Sequence, residues 1–239
     1  MRQAQTTQIK AREQIMLAAR HLFAKHGIDG VTLRQIVEAS GQKNHGSVSY
    51  YFGTKEALVR ELVAEGAMLI DTRRNARLDK IEEAGGPRDI AEVVEVLVYP
   101  SIRLAEELEG GDDNYIAFAF MMMMNHRELF MAAVGERWNS GYTRCLDHLR
   151  HMMPDMPPEA KNQRFVFMGG YLGSILSLRE IALMDRSRPH KTWSADSTLD
   201  HFVQTICAML EAPYEADHGD LRTRKKMNGV VGSIGVVLD

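Results

Sequence analysis

The chain has 239 residues, of which 45% are apolar and 26% charged. That is the balance of a soluble globular protein, long enough for one large domain or for a small one and a larger one. Two widely separated cysteines, Cys145 and Cys207, exclude a disulfide framework and point to a reducing, cytoplasmic setting. The polar opening MRQAQTTQIKAREQ lacks the apolar stretch of a secretion signal. The longest apolar run, YIAFAFMMMM at 115–124, has half of the roughly 20 residues that cross a bilayer, so it is expected to be a buried helix. Net charge is −3, divided as +5 over residues 1–60 and −8 over the rest. A basic segment on an acidic body suits a chain that sets one end on phosphate; a basic solvated helix surface is the alternative.

Almost every segment predicts helix. Over 8–26, Ile15, Ala19, Leu22 and Phe23 fall at i, i+4, i+7 and i+8 and form one apolar stripe. Gly27 stands where a left-handed cap belongs. Thr32 is a good N-cap for a short helix whose apolar face is Leu33, Ile36 and Val37, and Gly41 stops it. A polar stretch, 42–46, leads into Ser47-Val48-Ser49-Tyr50-Tyr51-Phe52. Thr54 caps a long helix with Leu58 and Leu62 on its buried side, continuing to about residue 79 and connecting two domains. The Gly85-Gly86-Pro87 loop follows. Further helices are expected near 89–108, 114–124, 127–152, 159–185 and 197–211. From Pro213 the pattern fails, and a flexible tail is the expectation. The organisation read from the sequence is therefore 8–55, 56–212 and a tail 213–239.

Two short amphipathic helices across a glycine turn define a helix-turn-helix. Its first helix crosses the DNA backbone and its second enters the major groove. Thr32 and the free N–H groups of its helix suit a phosphate, with Arg34 in the first turn. Gln42, Lys43, Asn44, His45, Ser47 and Ser49 are short or forked polar side chains able to reach base edges and phosphates. Lys55 opens the next helix within reach of a phosphate.

Over 15–62 the sequence IMLAARHLFAKHG…VTLRQIVEASG…YYFGTKEALVREL resembles the DNA-binding domain of TetR-type (TetR/AcrR) transcriptional repressors. The shared pattern is carried by Ala18-Ala19, Leu22-Phe23, Gly27, Thr32, Ile36-Val37, Ser40-Gly41, Tyr51-Phe52, Lys55 and Leu58. The resemblance implies an all-α fold: an N-terminal three-helix, helix-turn-helix DNA-binding domain plus a larger helical domain for ligand binding and dimerisation. It also implies backbone contacts from Thr32, Arg34 and Lys55, and a recognition helix with its lead-in from Gln42 to Tyr51. Between Gly41 and Phe52 this chain carries one residue more than the common spacing, so Ser49 falls where many members place a tyrosine. Tyr50 and Tyr51 are both candidates for that contact.

Beyond residue 100 two features stand out. Gly169, Gly173 and Ser177 make a smooth ridge on one helix, which serves close packing either between two chains or within one. The resemblance places a dimer interface on the last two long helices, with Phe167, Gly170, Tyr171, Ser174, Phe202 and Ile206 as candidates. The run 121–124 is four methionines, a side chain that suits adaptable apolar pockets as well as plain core. Tyr115, Phe118, Met122, Trp138 and Tyr142 are the candidate pocket. Cys145, His148 and His151 at i, i+3 and i+6 are a weak metal pattern; no cofactor, metal or membrane is expected.

The implied function is a cytoplasmic, ligand-responsive regulator. It would repress by binding palindromic double-stranded operator DNA as a homodimer, and be released by a small, largely apolar effector. Activation rather than repression stays open. An enzyme is a rival reading, but no nucleophile–base pair or catalytic motif supports it. A helical interaction module without DNA binding is another.

Overall fold

The computed structural model describes residues 2–44, 46–108, 114–135 and 137–214. His45 and the expected tail beyond residue 214 lie outside them. Among the described residues every regular element is helical. The helices are α1 (Arg2–His26), α2 (Leu33–Ala39), α3 (Ser47–Phe52), α4 (Lys55–Glu83), α5 (Ile90–Val98), α6 (Tyr115–Asn125), α7 (Arg127–Val134), α8 (Ser140–Met152), α9 (Pro158–Met184), α10 (Lys191–Ser194) and α11 (Asp196–Glu211).

Three boundaries differ from expectation. The helix expected over 89–108 stops at Val98, and only short 3₁₀ turns follow it. Pro100 explains this, since it has no N–H for the helical ladder and its ring crowds the carbonyl four residues back. The helix expected over 127–152 breaks at Gly135, whose φ of +51° leaves the helical region. The first helix starts at Arg2 rather than at 8.

Two apolar cores hold these helices. The first gathers Ile15, Ala19 and Phe23 of α1, Ile36 and Val37 of α2, Val48 of α3, Leu58 and Leu62 of α4, and Phe118 and Met122 of α6. The second gathers Leu78 of α4, Val93 and Leu97 of α5, Cys145 and Leu149 of α8, Phe165, Met168 and Leu172 of α9, and Phe202 and Ile206 of α11. Helix α4 thus contributes to both. Its far half is tied to α8 by Asp71, which accepts from Ser140 Oγ and the Gly141 N–H, both at 2.7 Å. Arg144 adds charged bonds to Asp79 at 2.8 Å and Glu82 at 2.7 Å.

Helix α6 is wedged among α1, α4 and α9. Phe118 stacks on Phe23 with ring centroids 6.2 Å apart. The Tyr115 hydroxyl donates to the Val63 carbonyl at 2.7 Å, and Glu180 Oε2 of α9 accepts from the Ala117 N–H at 2.7 Å. Glycine makes the fit on α4: a Cβ on Gly66 would lie 2.3 Å from the Tyr115 ring.

Helix α9 is long and apolar enough to cross a membrane on length and composition alone. Here Phe165, Met168, Leu172 and Leu176 point into the second core, while Val166, Phe167, Leu178 and Ile181 are exposed.

Gly66→Ala is expected to lower unfolding free energy by about 1–3 kcal/mol, because the Tyr115 ring must give up its seat. Urea unfolding followed by circular dichroism checks this; an unchanged midpoint would mean that α6 has room to shift.

Candidate nucleic-acid interface

Helices α2 and α3 are set by local hydrogen bonding. Thr32 Oγ1 accepts from the Gln35 N–H at 3.3 Å, and Gln35 Oε1 accepts from the Thr32 N–H and hydroxyl, each at 2.8 Å. This closes a capping box. The Thr32 N–H and hydroxyl are therefore already engaged, which corrects the expectation that they stand free for a phosphate. The Leu33 and Arg34 N–H groups, with no carbonyl four residues back in the helix, are the outward donors at this end. Arg34 is exposed and bonds Glu38 at 2.8 Å, a surface pair worth about 0–1 kcal/mol and readily exchanged for another anion.

In the lead-in, Gln42 Nε2 donates to Gln14 Oε1 of α1 at 3.0 Å, while Lys43 and Asn44 are exposed. Asn44 shapes the turn: its Oδ1 accepts from the Gly46 N–H at 2.9 Å, and its carbonyl accepts from the Ser47 hydroxyl at 2.7 Å. Ser47 is buried. It anchors the start of α3 and does not face outward, a second correction. Val48 and Phe52 bury the inner side of α3, leaving Ser49 and Tyr50 on the outer side, with Tyr50 72% exposed. Tyr51 is half-buried and packs edge-on to Tyr50 at 5.0 Å, so of the two tyrosines Tyr50 is the outward one. Lys55 is half-buried, its Nζ donating to the Val31 carbonyl at 2.6 Å over the Phe23 ring at 5.9 Å. It is first a clamp between α4 and the α1–α2 turn, with ammonium donors left over.

Behind this unit lies a cavity of about 390 Å³ among α4, α6, α7, α8 and α9, within the usual size of a small-molecule site. Of the candidate pocket residues, Tyr115, Trp138 and Tyr142 line it. Phe118 and Met122 do not. Both are fully buried in the first core, on the opposite side of α6. The α6 face toward the cavity is Ala119, Phe120 and Met123. Arg74 and Arg127 also line it, and sequence reasoning missed both. Arg74 left one signal, since it shares a helix face with Ile70 and Leu78 at i−4 and i+4.

The profile of "Bacterial regulatory proteins, tetR family" matches residues 15–62, and that of the "Tetracyclin repressor-like, C-terminal domain" matches 95–209. Together they span about two thirds of the chain. The chain belongs to the TetR family of bacterial regulators. That family is one of DNA-binding regulators and not of enzymes. The HTH-type transcriptional repressor AcnR of Corynebacterium efficiens is 41% identical over 59 residues, 25% of this chain and 31% of that repressor. AcnR of Corynebacterium glutamicum is 42% identical over 57 residues, 24% of this chain and 30% of that one. The chain thus matches under a third of these relatives' length. AmtR of Mycobacterium smegmatis superposes with a TM-score of 0.55 over 85% of this chain and 87% of that one, at 16% identity, which shows the fold.

In this TetR-family chain the expected interface residues separate. Phe167 and Gly170 are exposed, and Tyr171 and Ser174 are half-buried. Phe202 and Ile206 sit in the second core, at 5% and 0% exposure. They pack α11 against its own chain and are corrected as partner contacts. The ridge of Gly169, Gly173 and Ser177 also works within the chain. A Cβ on Gly173 would lie 2.5 Å from the Phe120 ring, and the Ser177 hydroxyl donates within α9 and toward α6. Cys145, His148 and His151 do not converge: burial pushes the Cys145 thiol up to about 11, His148 meets Glu82 at 2.9 Å, and His151 meets the Asp147 carbonyl at 2.7 Å.

Lys55→Met is expected to cost about 1–2 kcal/mol of stability by leaving the Val31 carbonyl without its donor. Lys43→Ala, at an exposed site, is expected to stay within about 0.5 kcal/mol of the parent. Parallel thermal melts distinguish the clamp from the surface lysine; equal melting points would remove the clamp.

Proposed function

We propose that this regulator is a homodimeric repressor of the cytoplasm. It binds a palindromic double-stranded operator through α3 of each subunit, and a small, largely apolar effector in the cavity releases it. One observation carries the reading. Helix α6 lines the cavity with Ala119, Phe120 and Met123, and on its other side holds α1 through Phe118 and Met122. A ligand that displaces Phe120 or Met123 displaces the seat of the helix-turn-helix. His126 Nε2, at the end of α6, also lies 3.6 Å from Asp29 Oδ2 in the α1–α2 turn.

On DNA, Ser49 and Tyr50 with Asn44 face base edges, and Arg34 and Lys43 with the first N–H groups of α2 meet phosphate. Gln42 and Tyr51 hold the reading head in place. The two α3 helices must lie about 34–36 Å apart to enter successive major grooves. Effector and operator compete by preferring different spacings, and the coupling is reciprocal. Pairing of two chains uses the exposed face of α9. Phe167, Gly170, Ser174, Leu178 and Ile181 recur there every three or four residues, and a second copy covers such a stripe as a coiled-coil-like seam. The Corynebacterium AcnR proteins are repressors by name, which supports repression over activation.

Footprinting on DNA from the protein's own upstream region should protect a short palindrome, with affinity falling as salt rises. Lys43→Ala should weaken binding to all sequences alike and lower the salt slope by about 1. Salt-independent binding, with no protected site in any genomic fragment, would sink the operator reading.

Leu178→Lys places a charge in the α9 stripe and is expected to yield monomers in light scattering, with operator affinity lost. A mutant that remains dimeric would move the interface elsewhere.

A further inference from the structure

The charge inside the cavity is one-sided. Among the described residues that line it, the only side chains charged at neutral pH are Arg74 and Arg127, and none is a carboxylate. Arg127 is exposed, at the rim. Arg74 is the inner one. Its Nη2 donates to the Leu97 carbonyl at 3.1 Å and lies 3.4 Å from Ser101 Oγ, while its Nε is buried without a hydrogen-bond partner. Tyr142 packs against the guanidinium at 5.7 Å. Asp71, one turn back on the same helix, accepts from Ser140, Gly141 and Asn75, and its charge offsets that of Arg74 only in part. Burial lowers the Arg74 pKa from its ordinary value, yet a guanidinium does not deprotonate in a protein.

A cation enclosed in this way is costly unless it is paired. The rest of the wall is an alkyl and aromatic surface, with Phe120, Met123, Phe130 and Trp138. A site with two cations, no anion and an apolar wall fits a ligand with the reverse pattern. Resting on the effector reading above, we propose that the effector is an amphipathic anion, whose carboxylate bonds the Arg74 guanidinium and whose hydrocarbon body lies along α6 and α7. The guanidinium in the wall carries N–H donors for charge-assisted bonds to a carboxylate. Arg127 at the rim draws the anion in and holds no fixed geometry. A neutral or cationic molecule of the same shape leaves Arg74 unpaired.

The test uses the full-length protein and three probes that share one alkyl chain and differ in head group: decanoate, 1-decanol and decyltrimethylammonium, each below its micellar concentration. Isothermal titration is expected to give decanoate an affinity at least about tenfold above that of decanol, with the cation weakest. Arg74→Met should abolish the preference, bringing decanoate affinity down to that of decanol or below it. Circular dichroism and a thermal melt establish that the variant is folded, and the head-group series on the unaltered protein stands without it. Equal affinity for decanol and decanoate, or a decanoate preference that survives in Arg74→Met, overturns the inference. Adding the probes to the operator complex separates the two readings. Release by decanol as readily as by decanoate keeps the effector cavity and rejects the anion. Arg74-dependent binding of decanoate that leaves the complex intact keeps the anion site and rejects the effector role. If no alkyl carboxylate from hexanoate to dodecanoate binds, the anion site falls, and release by decanol alone decides the effector cavity.

Discussion

The seat of α6 is the constraint on which the rest depends. Phe118 and Met122 have no exposed surface and close the first core from above. Phe23, stacked on Phe118, is equally buried. Removing such an aromatic typically costs about 3–5 kcal/mol, so the helix-turn-helix does not form its full core without α6. The helix is held at its N-terminal end by the Tyr115–Val63 and Glu180–Ala117 bonds. Glu180 there meets the positive end of the helix dipole. An element fixed at one end, packed on both faces and touching a cavity does not deform smoothly. Packed interiors change by switching between discrete arrangements.

Helix α4 has the complementary role. It starts beneath the reading head, where Lys55 clamps the Val31 carbonyl and Arg12 pairs with Glu61. It ends in the second core at Leu78, tied to α8 through Asp71 and Arg144. Rotation of the reading head relative to the body must therefore bend α4 or slide it past α6. Gly66 is the point of contact, because there the Tyr115 ring lies directly on the α4 backbone.

Much of this was legible in the sequence, for identifiable reasons. The apolar stripe Ile15–Ala19–Phe23, the Thr32 and Thr54 caps and the glycine after α1 are local signals, and they placed the first four helices. Pro100 and Gly135 are equally local, yet they were read through, because the apolar periodicity continues on either side of them. Side-chain direction was less legible. Ser47 and Ser49 look alike in a polar run, but the turn at Asn44 sends the first inward. In the run 115–124 every position is apolar, so hydrophobicity gave no phase. Only tertiary packing assigns Phe118 to α1 and Phe120 to the cavity. The ridge of Gly169 and Gly173 marks close packing, and its neighbours are Tyr142 and Phe120 of the same chain.

The charges outside and inside the protein obey one rule at different dielectric. On the reading head, Arg34 and Lys43 are solvated; they cost little to keep and give a salt-dependent attraction for phosphate. In the cavity, Arg74 is half-buried and its Nε has no hydrogen-bond partner, so on the proposed reading an anion there gains a cation that water reaches poorly. Mass action then stabilises the liganded form, by about 2.7 kcal/mol at a hundredfold excess over Kd. On the proposed reading, an anion that pairs Arg74 disfavours the DNA-bound spacing only to the extent that it binds that form more weakly than the other.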